Sequence, residues 1–356
     1  MIVVERRASA SRGAEFLAYV IALAAGFAVS ALLILASGAH VVEAFAVLYE
    51  GAFGNGEALL QSLVEATPLM FTGLATVIAF RARVWSIGQE GQMFAGAMAG
   101  YWASLYLVGV PSVIALPAII GAAILGGGLL AAFSGWLKAR FDVNEIISTV
   151  MLNYVAVYFL SYLLAGGPWT EAGATSYNQT PVLAANFDLP ILIDGSKLHI
   201  GFLLALIAAA LCHVLITRTP LGFELRALGF NPTALRYKGA NIGKTIVVVM
   251  FISGGLAALA GVSQIFGVDH RLRGDVLTGI GYTGIIVGMI AALTPLGAVI
   301  AAFFFGALAN GSLYMSVLSD IPASLVPAMQ GILLLFFLCA SVLVRVRLRW
   351  RTATDE

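Results

Sequence analysis

Apolar residues run along this chain in unalternating blocks of about twenty, separated by short polar breaks. Ten blocks stand out, at residues 16–37, 59–80, 86–108, 112–136, 145–166, 199–217, 245–266, 276–292, 296–316 and 322–344. A block of that length crosses a hydrocarbon core of roughly 30 Å as one α-helix. Lipid offers backbone groups no hydrogen-bond partners, so a spanning chain is a helix bundle or a closed barrel. Long runs without period-two alternation exclude the barrel. The expected fold is an all-α polytopic membrane protein of about ten transmembrane helices, forming one domain over residues 1–356.

Composition agrees with that reading. Hydrophobic residues make up 60% and charged residues 10% of the chain, against roughly 25% charged in a soluble domain. A net charge of +1 leaves no case for nucleic acid. Cys212 and Cys339 both fall in apolar runs and offer neither a disulfide framework nor metal-ligand spacing. His40, His199, His213 and His270 are dispersed at span ends.

Basic residues set the direction. With both termini in the cytoplasm, the inner segments hold sixteen Lys and Arg and the outer ones only Lys197, Arg271 and Arg273, as the positive-inside rule requires. The run from Phe16 to about Ser37 exceeds the 7–15-residue core of a cleaved signal, so a retained first span is expected. Outside lie residues 38–58, with the helical spacing of an interfacial helix, and the Gly-, Pro- and Asn-rich loop 167–198.

The two halves echo each other. Gly73–Phe80 precedes Ser86–Ala97, and Gly254–Gly261 precedes Gly279–Gly288, each pair a Gly-rich helix, a polar break and a second Gly-rich segment. Corresponding Gly-interrupted segments mark repeated units with a solute path between them, although small residues also serve close helix packing alone.

Polar groups inside spans are costly and point to function. They are Glu65 beside Pro68, Glu90 with Gln89 and Gln92, Glu145 and Asn153 in the fifth span, and Gln264 in the seventh. Glu145 beside Arg140 equally suits an acid in the first turn of a helix, and Glu90 equally suits a bridge to Arg81 or Arg83.

Residues 218–244 break the apolar pattern with two short helices. Thr219-Pro220 starts one and Asn231-Pro232 the other, and Gly229 and Gly239 are expected to end them. Leu221, Leu225 and Leu228 share a face. The segment is either a basic loop on the inner leaflet or a lever seated in a motor protein. Gly239–Thr245 fails as a phosphate loop, since Lys238 stands where the pattern needs glycine.

Three stretches together resemble the permease subunits of bacterial ABC importers for nucleosides and simple sugars, related to branched-chain amino acid and ribose permeases. They are Phe80–Gln92, Asn144–Tyr154 and Glu224–Ile242; Gly279–Gly284 joins them, and the likeness covers residues 60–340. The chain departs at Trp85-Ser86, where the family usually has Phe-Asn. The resemblance implies an inner-membrane permease and not an enzyme, with ATP and Mg used by a cytoplasmic ATPase and no cofactor on this chain. It also implies an extracytoplasmic binding protein and a second permease subunit, paralogous or identical. The expected solute path is Glu65, Ser86, Gln89, Glu90, Asn153, Gln264 and Tyr282. The expected ATPase contact is Glu224, Leu225, Arg226, Ala227, Leu228, Gly229, Asn231, Arg236 and Gly239. Ion-coupled transport through Glu65, Glu90 or Glu145, and an ABC permease for branched-chain amino acids, are the alternatives.

Overall fold

A backbone that can satisfy its amides only within itself coils into helices, and the chain is nearly all helix. The computed structural model describes residues 2–6, 12–171, 173, 178–274, 277–318 and 325–350. In order these form β1 (Ile2–Arg6), α1 (Arg12–Ala36), α2 (Val41–Phe53), α3 (Gly56–Arg81), α4 (Gln89–Tyr106), α5 (Ser112–Phe141) and α6 (Glu145–Leu164). There follow α7 (Gly201–Arg218), α8 (Pro220–Phe230), α9 (Pro232–Tyr237), α10 (Ile242–Gln264), α11 (Ile280–Ile290), α12 (Pro295–Leu318), α13 (Leu325–Arg345) and β2 (Val346–Trp350). β1 and β2 pair antiparallel, with Ile2 opposite Trp350.

Each predicted block contains one helix. Among the described residues, seven helices, α1, α3, α5, α6, α7, α10 and α12, are long and apolar enough to cross a bilayer. Two blocks differ from the expectation. The block at 86–108 becomes helical only at Gln89, after a non-helical stretch in which Val84 and Ser86 are buried. The block at 276–292 holds a helix of only 11 residues, about 16 Å long at 1.5 Å per residue. That is about half a hydrocarbon core. The segment at 38–58 forms the helix its spacing predicts, α2, and among the described residues of loop 167–198 there is a short 3₁₀ turn at Ala185–Phe187.

The chain divides into two compact units, Met1–Ala58 with Leu308–Glu356, and Leu59–Ala307. In the first, Gly26 of α1 faces Leu333 of α13, and Asn310 Nδ2 donates to the carbonyls of Gly51 (2.8 Å) and Ala58 (3.0 Å). In the second, α4, α5 and α10 meet along small residues. A Cβ on Gly127 would lie 2.5 Å from the Gln92 carbonyl and 2.7 Å from that of Gly254. Small residues let helix backbones approach closely where lipid supplies no hydrophobic drive. α3 is buried along nearly its whole length.

Candidate functional site

The site is built on α6, whose sequence sets Glu145, Thr149 and Asn153 four residues apart and so on one face. Asn144 caps the helix, its side chain accepting from the amides of Ile146 and Ile147. Together the residues of the row hold the non-helical segment before α4 and the first turn of α4. Glu145 Oε1 accepts from Trp85 N at 3.3 Å, and Thr149 Oγ1 from Ile87 N at 3.1 Å. Asn153 accepts from Gly91 N and donates to the Ile87 carbonyl, both at 2.8 Å. Buried irregular backbone needs partners of this kind. Eight residues of helix separate Glu145 from Asn153, about 12 Å along the axis, so α4 begins well inside the bundle. The other oxygen of Glu145 accepts from Lys138 Nζ at 2.5 Å, so the partner is Lys138 and not Arg140.

At the same depth α11 begins. Gly279 (φ 92°) turns the chain into it, and Glu90 of α4 caps it. Glu90 Oε1 accepts from Gly279 N and Oε2 from Gly281 N at 2.9 Å. A carboxylate at a helix N-terminus meets unpaired amides and the positive end of the dipole. The partners of Glu90 are thus backbone amides, and the alternative of a bridge to Arg81 or Arg83 is not what forms. Asn153 Nδ2 also donates to the Tyr282 hydroxyl at 3.3 Å, tying α6 to α11. Gly284 and Gly288 of α11 sit against Thr72 and Thr76 of α3, with Gly73 against Val287. Gln89 Nε2 donates to Thr76 Oγ1 and Gln92 Nε2 to Ser86 Oγ, each at 3.2 Å. Two helices, the 18-residue α4 and the short α11, therefore start side by side on a polar platform, where Gln89 Oε1 and Gln92 Oε1 are buried without a hydrogen-bond partner.

Of the expected path residues, Ser86, Gln89, Glu90, Asn153 and Tyr282 come together here. Glu65 and Gln264 do not. Glu65 accepts from Gln61 at 3.1 Å, and the charges it feels are Asp269 and Lys197; Gln264 donates to Asp269 at 2.9 Å. Both belong to the level of the loop 167–198. There His270 Nδ1 lies 2.7 Å from Asp188 Oδ1, and the buried His199 accepts from Gly201 N at 3.1 Å. Burial, with His270 nearby, pushes the His199 imidazole down to about 4.

The segment 218–244 forms α8 and α9, capped as expected by Thr219 and Asn231. Its apolar stripe faces inward, however. Gly222, Leu225, Leu228, Gly229 and Leu235 are buried. Gly229 does not end its helix, since α8 continues to Phe230; it lies against the Arg81 carbonyl, where any Cβ would collide. Arg226 folds back to donate to the Ile216 carbonyl, and Glu224 accepts from Thr245 Oγ1 at 3.2 Å. Ala227 is half-buried. Outside lie, among others, Phe223, Phe230, Asn231, Arg236, Tyr237 and Lys238, with Gly239 (φ 84°) beyond. The Lys238 ammonium lies 4.4 Å from the centroid of the Phe223 ring. The inward face follows from elementary packing: a leucine stripe on a short amphipathic helix is buried first by its own chain.

Thr72, Thr76 and Thr149 are site residues that were missed. Threonines in an apolar run read as helix packing, and the one available signal was the four-residue spacing of Glu145, Thr149 and Asn153.

Comparison with known proteins agrees with this architecture. The family "Branched-chain amino acid transport system / permease component" matches residues 58–338. The chain belongs to that permease family. It is 35% identical over 327 residues to the guanosine ABC transporter permease protein NupP of Bacillus subtilis, covering 91% of this chain and 93% of that protein. It is 32% identical to the glucose ABC transporter permease protein TsgB13 of Haloferax volcanii, covering 92% and 88%. Against the nucleoside ABC transporter permease protein NupB of Lactococcus lactis the identity is 28%, covering 92% of each.

Proposed function

We propose that this chain is the permease subunit of an ABC importer that carries nucleosides across the bacterial inner membrane. A separate cytoplasmic ATPase hydrolyses ATP with Mg; an extracytoplasmic binding protein delivers the solute; a second permease subunit completes the path. Similarity to guanosine and nucleoside permeases over nine-tenths of the chain is the observation that carries the reading.

The geometry supplies a mechanism. Gly229 rests on the carbonyl of Arg81, the last residue of α3, and the non-helical segment 82–88 follows at once. A push on the α8–α9 knuckle therefore reaches the start of α4 through a few peptide units. There the clamp of Thr149 and Asn153 and the cap of Glu90 hold the starts of α4 and α11. Rigid-body motion of a packed element past another is a common way of converting closure at one site into opening at another. Ion coupling through Glu90 or Glu145 is disfavoured because both are committed, to backbone amides and to Lys138, and Glu65, the third candidate, lies away from them and accepts from Gln61.

The test is uptake in cells carrying the whole transporter. Labelled guanosine should enter while an uncoupler is present and stop when ATP is depleted. Uptake that survives ATP depletion but collapses with the uncoupler would sink the ABC reading. ATP-dependent uptake of glucose without guanosine would replace nucleoside by sugar.

A further inference from the structure

The end of α10 and the loop 167–198 are sewn together. α10 leaves its regular hydrogen bonds in a π-turn at Ile265–Asp269, and His270 (φ 53°) then turns the chain away. Backbone groups freed in this way need partners, and the loop supplies them. Leu189 N donates to the Phe266 carbonyl and Leu183 N to the His270 carbonyl, both at 2.8 Å. Thr180 N donates to the Leu272 carbonyl, and Leu272 N donates back to Thr180 Oγ1, both at 3.0 Å. Gln179 and Arg273 stand opposite each other as an antiparallel pair. His270 and Asp188, 2.7 Å apart, and the ion pair of Arg271 with Glu171 at 3.6 Å flank the seam. Gly267 admits the His199 ring against the π-turn, where any Cβ would collide with it.

The seam is placed to act on the platform. Trp169, near the head of the loop, packs on Tyr101 of α4 with ring centroids 4.9 Å apart. At its other end, six residues lead from Arg273 to Gly279, a reach of at most about 20 Å. Leu272 and Leu277 along that stretch are both fully buried. Seam and knuckle lie at opposite ends of α10, whose 23 residues make it about 35 Å long.

Resting on the importer reading above, we propose that residues 178–192 and 265–273 form a strap that moves as one body and carries events at the outer face to the start of α11. On that reading the event is the arrival of the solute-bearing binding protein. The strap reaches from outside the platform that the knuckle reaches from inside, and the Glu90 cap joins the two routes. A π-turn suits the joint, since it interrupts one helix without unfolding it and recurs at functional sites. Backbone hydrogen bonds along the seam pass on a displacement that a loose loop would absorb, which is what rigid-body transmission needs.

The full transporter with its binding protein, in proteoliposomes, tests this through two kinds of variant. The first is Gln179→Cys with Arg273→Cys, made alongside Cys339→Ser because Cys339 is the exposed native thiol and Cys212 is buried. Opposed residues of an antiparallel pair have Cα atoms about 4.5–5.5 Å apart, a separation that a disulfide spans. One moving body predicts that the cross-link forms on oxidation and leaves guanosine uptake unchanged. Uptake that stops on oxidation and returns on reduction overturns the strap, by showing that its halves separate; absence of the cross-link overturns the pairing itself. The second kind loosens the seam. Thr180→Val removes the acceptor of Leu272 N and should lower the stimulation of ATPase by binding protein about 5-fold, the size of one lost buried hydrogen bond, with the basal ATPase rate unchanged. Asp188→Ala touches only the half-exposed pair with His270; it should give a smaller loss with wild-type yield, and so carries the test if Thr180→Val fails to fold. Wild-type stimulation in Asp188→Ala and in a folded Thr180→Val overturns the strap and leaves the importer reading standing. A wild-type transporter that binding protein does not stimulate overturns the importer reading itself.

Discussion

Glu90 and Gly281 join two helix beginnings: Glu90 Oε2 accepts the Gly281 N–H at 2.9 Å, and a Cβ on Gly281 would lie 2.6 Å from Glu90 Cα. The charge that caps α11 and the glycine that admits it depend on each other. Either one alone would be unfavourable at this depth, as a buried carboxylate without donors or as a cavity beside unpaired amides. Together they fix where α4 and α11 start.

Gly281→Ala should therefore be severe. The added methyl meets backbone, which yields little, and overpacking of this sort costs about 1–3 kcal/mol. We expect a lowered melting temperature in detergent and loss of uptake. Gly121→Ala, in open space on α5, is the control. It should be neutral or raise stability by up to about 1 kcal/mol through helix propensity. Equal melting temperatures for the two variants would remove the close-packing account of Gly281.

Asn153 is the other tie. Replacing it with Ala leaves the Gly91 N–H and the Ile87 carbonyl without their partner, at about 1–3 kcal/mol for each buried unpaired group. Thr149→Val removes one acceptor, that of Ile87 N, and should cost less. Because both side chains hold the same segment, the double variant should fall short of the sum. Strict additivity in thermal unfolding would mean that residues 85–91 are not held as one piece.

Much of this was legible in the residues. Uninterrupted apolar blocks announce spanning helices, because lipid forces every backbone amide into a helix. Thr219-Pro220 and Asn231-Pro232 announce α8 and α9, because capping is local chemistry. Depth was harder to read. Glu65, Glu90 and Gln264 look alike as polar residues in apolar runs, and only packing separates Glu90, on the α11 amides, from the other two near Asp269. The knuckle was harder still. Its leucine stripe fits a partner's groove and its own bundle equally well, and the decision rests with Arg81, more than a hundred residues away in sequence.

His199 should make stability depend on pH. Its imidazole is buried, and its folded value of about 4 lies below the ordinary 6.5. The neutral form is the one the fold holds, so this contribution is complete above pH 6.5. It is lost as pH falls towards 4, where the folded state also takes up the proton. The difference is on the order of 3 kcal/mol. Melting temperature against pH, compared between wild type and His199→Asn, isolates it. The wild type should fall more steeply between pH 6.5 and 4; parallel curves would show that burial of His199 has no such effect.

The knuckle separates two ways of breaking coupling. Gly229→Ala places a methyl on the Arg81 carbonyl, so it should damage the permease itself, lowering its melting temperature and its yield whether or not an ATPase is present. Phe230 and Tyr237 are 82% and 89% exposed, and truncating them removes nothing from the packed core. Phe230→Ala with Tyr237→Ala should leave melting unchanged while co-purification of the ATPase and ATP-driven uptake are lost, since exposed aromatics are the anchors that carry most of an interface. Arg236→Ala at the rim should be milder, an exposed ion pair contributing roughly 0–1 kcal/mol. An inner-leaflet role for the knuckle predicts the opposite pattern, with ATPase association intact and activity dependent on anionic lipid. Wild-type ATPase yield in the double aromatic variant would defeat the coupling assignment for this face, while a stable Gly229→Ala protein would show that the knuckle does not bear on α3 at all.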